Sequence, residues 1–364
     1  MGRSLKVSPG CIKQVRSALG RNGFPSQKLL AEELEIGLST VKNFLAGKPV
    51  DFLNFVEISE KLGLDWQTIA DTEVTDTQSS QANPQQTCEE TSPFITGNPI
   101  THPRCFFGRE KELKRLFNLI KRKPLQNAAI IGKRCSGKTS LLQYLKNITS
   151  TPIEQLRPNQ KSDWFPHSEN YRWIFVDFQD SRLQNREGLL RYILECLKMS
   201  VPNPCDLDRF MDVVSRNLRQ PTVILLDEIG VGLQRCPELD DGFWESLRSL
   251  ATNQTNGNLG FVLAAPESPI ELAKSTGHSS PFFNIFGYTT TLGAMTEAEA
   301  RELIGSSPIP FADEDVEWIL NQSKCWPLLL QILCQERLFS LENGDTEDDW
   351  HEEGLQQIEP FAHS

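Results

Sequence analysis

The sequence predicts a multidomain chain: a small all-α domain, an α/β domain on a parallel sheet, and a helical lid behind it. Three observations carry this. Residues 101–292 alternate short apolar runs with amphipathic stretches, the pattern of strands and helices in a parallel α/β sheet. The runs "TVILLD" and "GFVLAA" lack polar alternation, which suits strands covered on both faces. Residues 1–71 and 293–340 show helix-like apolar spacing with short breaks.

These segments set the expected boundaries. A helical domain spans 1–71. Residues 72–100 are polar and rich in Thr, Gln, Ser and Pro, a composition too poor in large apolar groups to offset ordering entropy, so a flexible linker is expected. The α/β core covers 101–292 and the lid 293–340. The acidic end, 341–364, reads as a loosely held tail. Strands are expected at Ala128–Ile131, Trp173–Phe178, Thr222–Leu226, Gly260–Ala264 and Tyr288–Leu292.

Bulk properties narrow the function. A net charge of −11 argues against a surface that coats nucleic acid throughout. It leaves room for one basic patch, and residues 1–50 hold eight Lys and Arg against three Glu. No apolar run reaches the length of a membrane span, and "MGRSLKVSPG" is not followed by a secretory apolar stretch. Nine scattered cysteines form no C-x-x-C pair, so neither structural zinc nor a disulfide framework is expected, and a cytoplasmic setting fits best.

The most specific motif is "GKRCSGKT", Gly132 to Thr139, which follows an apolar run and opens a helix. It matches G-x-x-x-x-G-K-[ST] throughout. The glycines let the backbone wrap tightly, so that N–H groups around Cys135, Ser136, Gly137 and Ser140 face phosphate oxygens. Lys138 puts a charge on the outer phosphates, and Thr139 offers its hydroxyl to Mg²⁺. Lys133, Arg134 and Cys135 read first as solvated loop positions. A thiol at a helix N-terminus also oxidises more readily, so oxidation of Cys135 is a candidate block on nucleotide binding.

The expected companion is "PTVILLDEIG". Asp227 and Glu228 end a strand at the edge where ligands gather in parallel α/β sheets. Asp227 would hold Mg²⁺ beside Thr139, and Glu228 would act as general base on water.

Loop, "ILLDE" strand, "FFGREKEL" and the helical region together resemble the AAA+/STAND superfamily of P-loop ATPases, most closely its archaeal-type ATPase branch. The resemblance covers about 101–340. It implies an ATP-binding, Mg²⁺-dependent ATPase in which Gly108 and Arg109 line the adenine side and "CWPLLLQILCQ" brings Pro327 over the base. Arg109 capping a helix and Pro327 starting one are the alternatives from the residues alone. Glu267 and Ser268 stand where many relatives place Asn, Thr or Arg to sense the γ-phosphate, and Cys325-Trp326 stands where a Gly-rich turn is common. Slow hydrolysis is the consequence drawn.

Residues 26–65 resemble the helix-turn-helix of Cro/repressor-type domains, centred on "LAEELEIGLSTVKNFLAG". Leu29, Leu30, Leu34, Val41, Phe44 and Leu45 are expected on one face, with Ser26 and Ser39 as helix N-caps. A recognition helix from about Ser39 to Ala46 would present Ser39, Thr40, Lys42 and Asn43 to double-stranded DNA. Docking of a protein partner is the alternative. The functional expectation is a slow signalling-switch ATPase that couples nucleotide state to this head as a homo-oligomer or with a partner chain. A target-selecting transposition-type ATPase that polymerises on DNA is the runner-up.

Overall fold

The computed structural model describes residues 4–8, 11–12, 15, 18–19, 26–34, 36–48, 50–62, 64, 69 and 92–361, without 159, 166 and 345–348. Two compact units divide at residues 86 and 87. Most of the expected linker, 72–91, lies outside the described residues.

The first unit holds α1 (Gln27–Glu33), α2 (Leu38–Leu45) and α3 (Phe52–Lys61), with β1 (Ser4–Leu5) antiparallel to β2 (Val50–Asp51). The short strand pair corrects the all-α expectation. Leu30, Val41, Phe44, Phe55 and Ile58 form the core, with the Phe44 and Phe55 rings edge-on at 5.0 Å. Ser26 caps α1 as expected: its Oγ accepts the Leu29 N–H at 3.3 Å. Ser39 is not a cap, because α2 starts one residue earlier with Gly37 at the N-cap. Leu29 is 46% exposed. Adjacent helical positions point about 100° apart, and Leu30 takes the core-facing one.

In the second unit, β3 (Ala128–Ile131), β4 (Arg172–Asp177), β5 (Thr222–Asp227), β6 (Leu259–Ala265) and β7 (Tyr288–Thr291) form one parallel sheet in the order β4-β5-β6-β3-β7. Each strand lies within one residue of its expected bounds. Every residue of β5 and β6 is buried, in keeping with their unalternated sequences. Two apolar clusters cover the two faces of the sheet, one holding Phe178, Trp244 and Phe282, the other Leu116, Leu142 and Leu145. The helices are α4 (Glu110–Ile120), α5 (Lys138–Asn147), α6 (Arg186–Cys196), α7 (Leu207–Asn217), α8 (Ile229–Arg235), α9 (Asp241–Ser249) and α10 (Pro269–Ser275). Because β6 lies between β3 and β5, the loop after β3 and the acids after β5 share one sheet edge, one strand apart.

The segment expected to form the lid, hereafter the lid, comprises α11 (Glu297–Ile304), α12 (Asp313–Ser323), α13 (Pro327–Asn343) and α14 (Asp349–Ile358) around its own core of Leu303, Leu330, Leu333 and Trp350. Two segments differ from expectation. The acidic end was expected to be loose, yet α14 places Trp350 at 2% exposure in the lid core. Burying such a side chain contributes about 2–3 kcal/mol, enough to order a helix whose other residues are mostly polar. Residues 92–100, expected in the linker, also pack. Phe94 is buried in the lid core. The Ser92 hydroxyl donates to Gln335 Oε1 at 2.8 Å, and the Ile95 N–H donates to Gln331 Oε1 at 3.0 Å.

Candidate nucleotide site

The loop between β3 and α5 has the geometry its residues imply. A Cβ at Gly132 would lie 2.6 Å from the Leu292 carbonyl oxygen and 2.7 Å from Ser136 Oγ, so only glycine fits. Gly137 has φ +91°, the left-handed backbone that glycine tolerates, immediately before the helix. Cys135, exposed, takes φ +62° without being glycine. Lys138 folds back over the loop, its Nζ donating to the carbonyls of Gly132 and Lys133, each at 2.9 Å. Burial pulls its pKa below the ordinary lysine value, while Glu228, Asp227 and Cys135 act in the opposite sense. Ser140 Oγ accepts the Ile100 N–H at 3.0 Å, joining the first turn of α5 to the segment ahead of the core.

Two polar atoms at this edge are buried without a partner. Asp227 is 3% exposed and its Oδ1 has no hydrogen bond; Ser136 is 1% exposed and its Oγ has none. An unsatisfied buried polar group costs about 1–3 kcal/mol. Burial raises the Asp227 carboxyl to about 6; the Thr139 hydroxyl lowers it, and Glu228 and Asp177 raise it. Thr139 and Asp227 therefore offer adjacent hard oxygen donors, one with an unused lone pair, which suits Mg²⁺.

Glu228 follows Asp227 with φ +51° and ψ +39°, a left-handed conformation for a residue that carries a side chain. Such backbone is strained by about 1–2 kcal/mol. Asp177, at the end of β4, pairs in register with Asp227 and accepts the Gln179 N–H at 2.8 Å. The sequence places Asp177 inside a strand, and only the register sets it beside Asp227. The signal was present: "RWIFVD" and "TVILLD" both end in Asp.

The neighbouring strand end is different. Ser268 caps α10, accepting the Glu271 N–H at 3.3 Å and donating to Glu271 Oε2 at 2.7 Å. Glu267 Oε1 accepts the Ser275 hydroxyl at 2.9 Å. Both side chains are engaged by their own helix.

Gly108 and Arg109 lie where the chain enters α4 and meet the lid. Gly108 has φ +70°, and a Cβ there would come within 2.8 Å of Glu299 Cδ. Arg109, φ +62°, is the N-cap of α4 but makes no side-chain cap bond. Its main-chain N–H donates to Glu299 Oε1 at 2.6 Å. Its guanidinium donates to the carbonyls of Gly293 at 2.5 Å and Ala294 at 3.3 Å, between β7 and α11. Pro327 stands in the first turn of α13 after Trp326 as N-cap. The turn before it places Lys324 and Cys325 at φ +49° and +58°, so backbone that usually asks for glycine is taken up here by non-glycine residues. The Met295 N–H ties this turn to the end of the β7 connection, donating to the Cys325 carbonyl at 2.8 Å.

In the first unit, Lys42 is exposed, and Thr40 and Asn43 are half-buried on α2; the side chain of Ser39 is outside the described set.

No protein-family model and no curated protein sequence matches the chain. Solved structures do. A Walker-type ATPase of Pyrococcus abyssi is similar over 74% of this chain and 77% of its own, with TM-score 0.52 and 16% identity. The ORC2 protein of Aeropyrum pernix, solved in ADPNP–ADP complexes, is similar over 74% of this chain and 72% of its own, with TM-score 0.53 and 13% identity. The likeness is one of fold. The chain shares the fold of a Walker-type ATPase and has its own complete phosphate-loop sequence.

Proposed function

We propose that the protein binds ATP with Mg²⁺, hydrolyses it slowly, and uses the nucleotide state to switch DNA binding or assembly through its first unit. The observation that carries the nucleotide part is the pair of unpartnered buried oxygens, Asp227 Oδ1 and Ser136 Oγ, at the loop edge. Metal or phosphate oxygen chemistry at this edge would supply both with partners.

The roles follow from position. Backbone N–H groups of Cys135, Ser136, Gly137 and Ser140, with Gly132 turning the chain, hold the phosphates. Lys138 exchanges two carbonyl partners for phosphate oxygens. Thr139 and Asp227 would hold Mg²⁺, which would neutralise charge developing on the phosphates. Glu228 accepts a proton from the attacking water as its oxygen bonds to the γ-phosphorus and the bond to the β-phosphate oxygen breaks. Gly108, Arg109 and Pro327 form the base side. Slowness follows from β6: Ser268 caps α10 and Glu267 accepts the Ser275 hydroxyl, so both side chains after that strand are already engaged rather than turned to the γ-phosphate.

For the first unit, the exposed Lys42 with Ser39, Thr40 and Asn43 on one short helix supports a duplex-reading surface. Lys42→Ala with Asn43→Ala should weaken duplex binding about tenfold in a gel shift and leave ATP turnover unchanged. Unchanged DNA binding would assign this surface to a protein partner. Light scattering after size exclusion, with and without ATP and duplex DNA, tests the switch. A mass that changes with ATP alone supports it. A mass that grows only on DNA with ATP supports a polymerising transposition-type assembly instead. A mass indifferent to ATP refutes both.

A further inference from the structure

Between α5 and β4 the chain makes a long excursion, residues 148–171, that contains no motif of the site. Its Arg157 reaches the segment ahead of α4 and the helix α11. Nη1 donates to the Arg104 carbonyl, in a short hydrogen bond, and to the Phe106 carbonyl at 2.8 Å. Nη2 pairs with Glu302 Oε1 of α11 at 3.2 Å. The guanidinium carbon lies 3.8 Å from the centroid of the Phe107 ring. Gln160, whose Oε1 accepts the Arg157 N–H at 3.1 Å, donates from Nε2 to the Pro103 carbonyl at 2.9 Å. One short stretch thus grips the carbonyls of residues 103, 104 and 106.

What it grips is the crossing between two bodies. Phe106 packs in the sheet core, its ring 4.6 Å from that of Tyr144, whereas Phe107 belongs to the lid core. The next residues are Gly108 and Arg109; Gly108 lies against Glu299, and Arg109 reaches Glu299 and the Gly293 carbonyl between β7 and α11. Arg157 touches the chain on both sides of that crossing and the lid helix as well. Its side chain is only 17% exposed, and burial holds its pKa below the ordinary arginine value. A planar fork can meet two carbonyls and a carboxylate while stacking on an aromatic ring; a lysine cannot.

We propose that Arg157 is the positioning residue for the base side of the nucleotide site: by fixing residues 103–107 to the lid helix, it sets the pocket that distinguishes adenine. This rests on the reading that Gly108 and Arg109 line the base. The phosphate side, built on Gly132–Thr139, does not depend on it.

The test compares ATP, GTP and inorganic tripolyphosphate on the full chain, by calorimetry and turnover. Arg157→Ala should raise the Kd and KM for ATP about tenfold to a hundredfold, the scale for a positioning loss remote from the chemistry. It should narrow the ATP-over-GTP preference, with tripolyphosphate affinity and saturating kcat within about twofold of wild type. Arg157→Lys should recover less than half of the lost preference. Equal losses for ATP and tripolyphosphate would show general loosening and overturn the assignment. Unchanged base preference in Arg157→Ala, with a loss in Gly108→Val, would overturn it while the base-side reading stands. No loss in either would overturn the base-side reading itself.

Discussion

Two adjacent strands of the sheet, β5 and β6, end at the same edge in acidic or hydroxyl residues, and their fates are opposite. After β6, Glu267 and Ser268 find partners within α10: an N-cap, a carboxylate and a serine hydroxyl. After β5, Asp227 is buried with an unpartnered oxygen and a raised pKa, and Glu228 is held in left-handed backbone without a cap bond. The first set stabilises the fold as it stands. The second leaves a buried carboxylate oxygen without a partner, which is what supports the proposal of a ligand there. Burial without satisfaction, rather than acidity, distinguishes the β5 end, proposed for the chemistry, from the β6 end.

Three substitutions test this contrast, in falling order of effect. Lys138→Ala removes the cation that serves the loop, and ATP affinity should fall at least about a hundredfold, the scale of a lost charge-assisted phosphate contact in a desolvated site. Calorimetry checks it, and retained affinity would place the nucleotide elsewhere. Asp227→Asn should stabilise the metal-free protein. A carboxyl that titrates near 6 when folded and near 3.8 as an ordinary aspartate keeps, between those values, a proton that the unfolded chain has released. Wild-type stability from this group therefore falls as pH rises from about 4 through about 6, by up to about 3 kcal/mol. Thermal melts without Mg²⁺ should show the variant more stable at neutral pH, with the gap closing toward pH 4; a variant no more stable at neutral pH would mean Asp227 carries no such burden. Ser268→Ala should behave oppositely. It should lose about 1 kcal/mol of stability as an N-cap and keep wild-type turnover. A large loss of turnover would return Ser268 to the site.

Much of this edge was legible in the sequence. The strands could be placed because fully covered strands are written as unbroken apolar runs, and the loop because phosphate wrapping demands glycine at two fixed places. Asp227 and Glu228 stood at the end of such a run. What could not be read depended on partners distant in sequence. Asp177 gains meaning only from its register opposite Asp227. The resemblance sets Arg109 against the base, while its guanidinium contacts lie 184 and 185 residues away between β7 and α11. Arg157 works through main-chain carbonyls, which no sequence displays. Phe94 and Trp350 sit in polar surroundings whose composition reads as loose chain, and one buried aromatic in each case reverses that reading.

We assign water activation at the proposed ATP site to Glu228, at the β5 end. Single-turnover hydrolysis and ATP affinity, measured side by side on Glu228→Gln, test it most directly. The account predicts ATP affinity within about twofold of wild type and hydrolysis slowed about a hundredfold or more, the contribution of a positioned general base. Hydrolysis at the wild-type rate in that variant would contradict it.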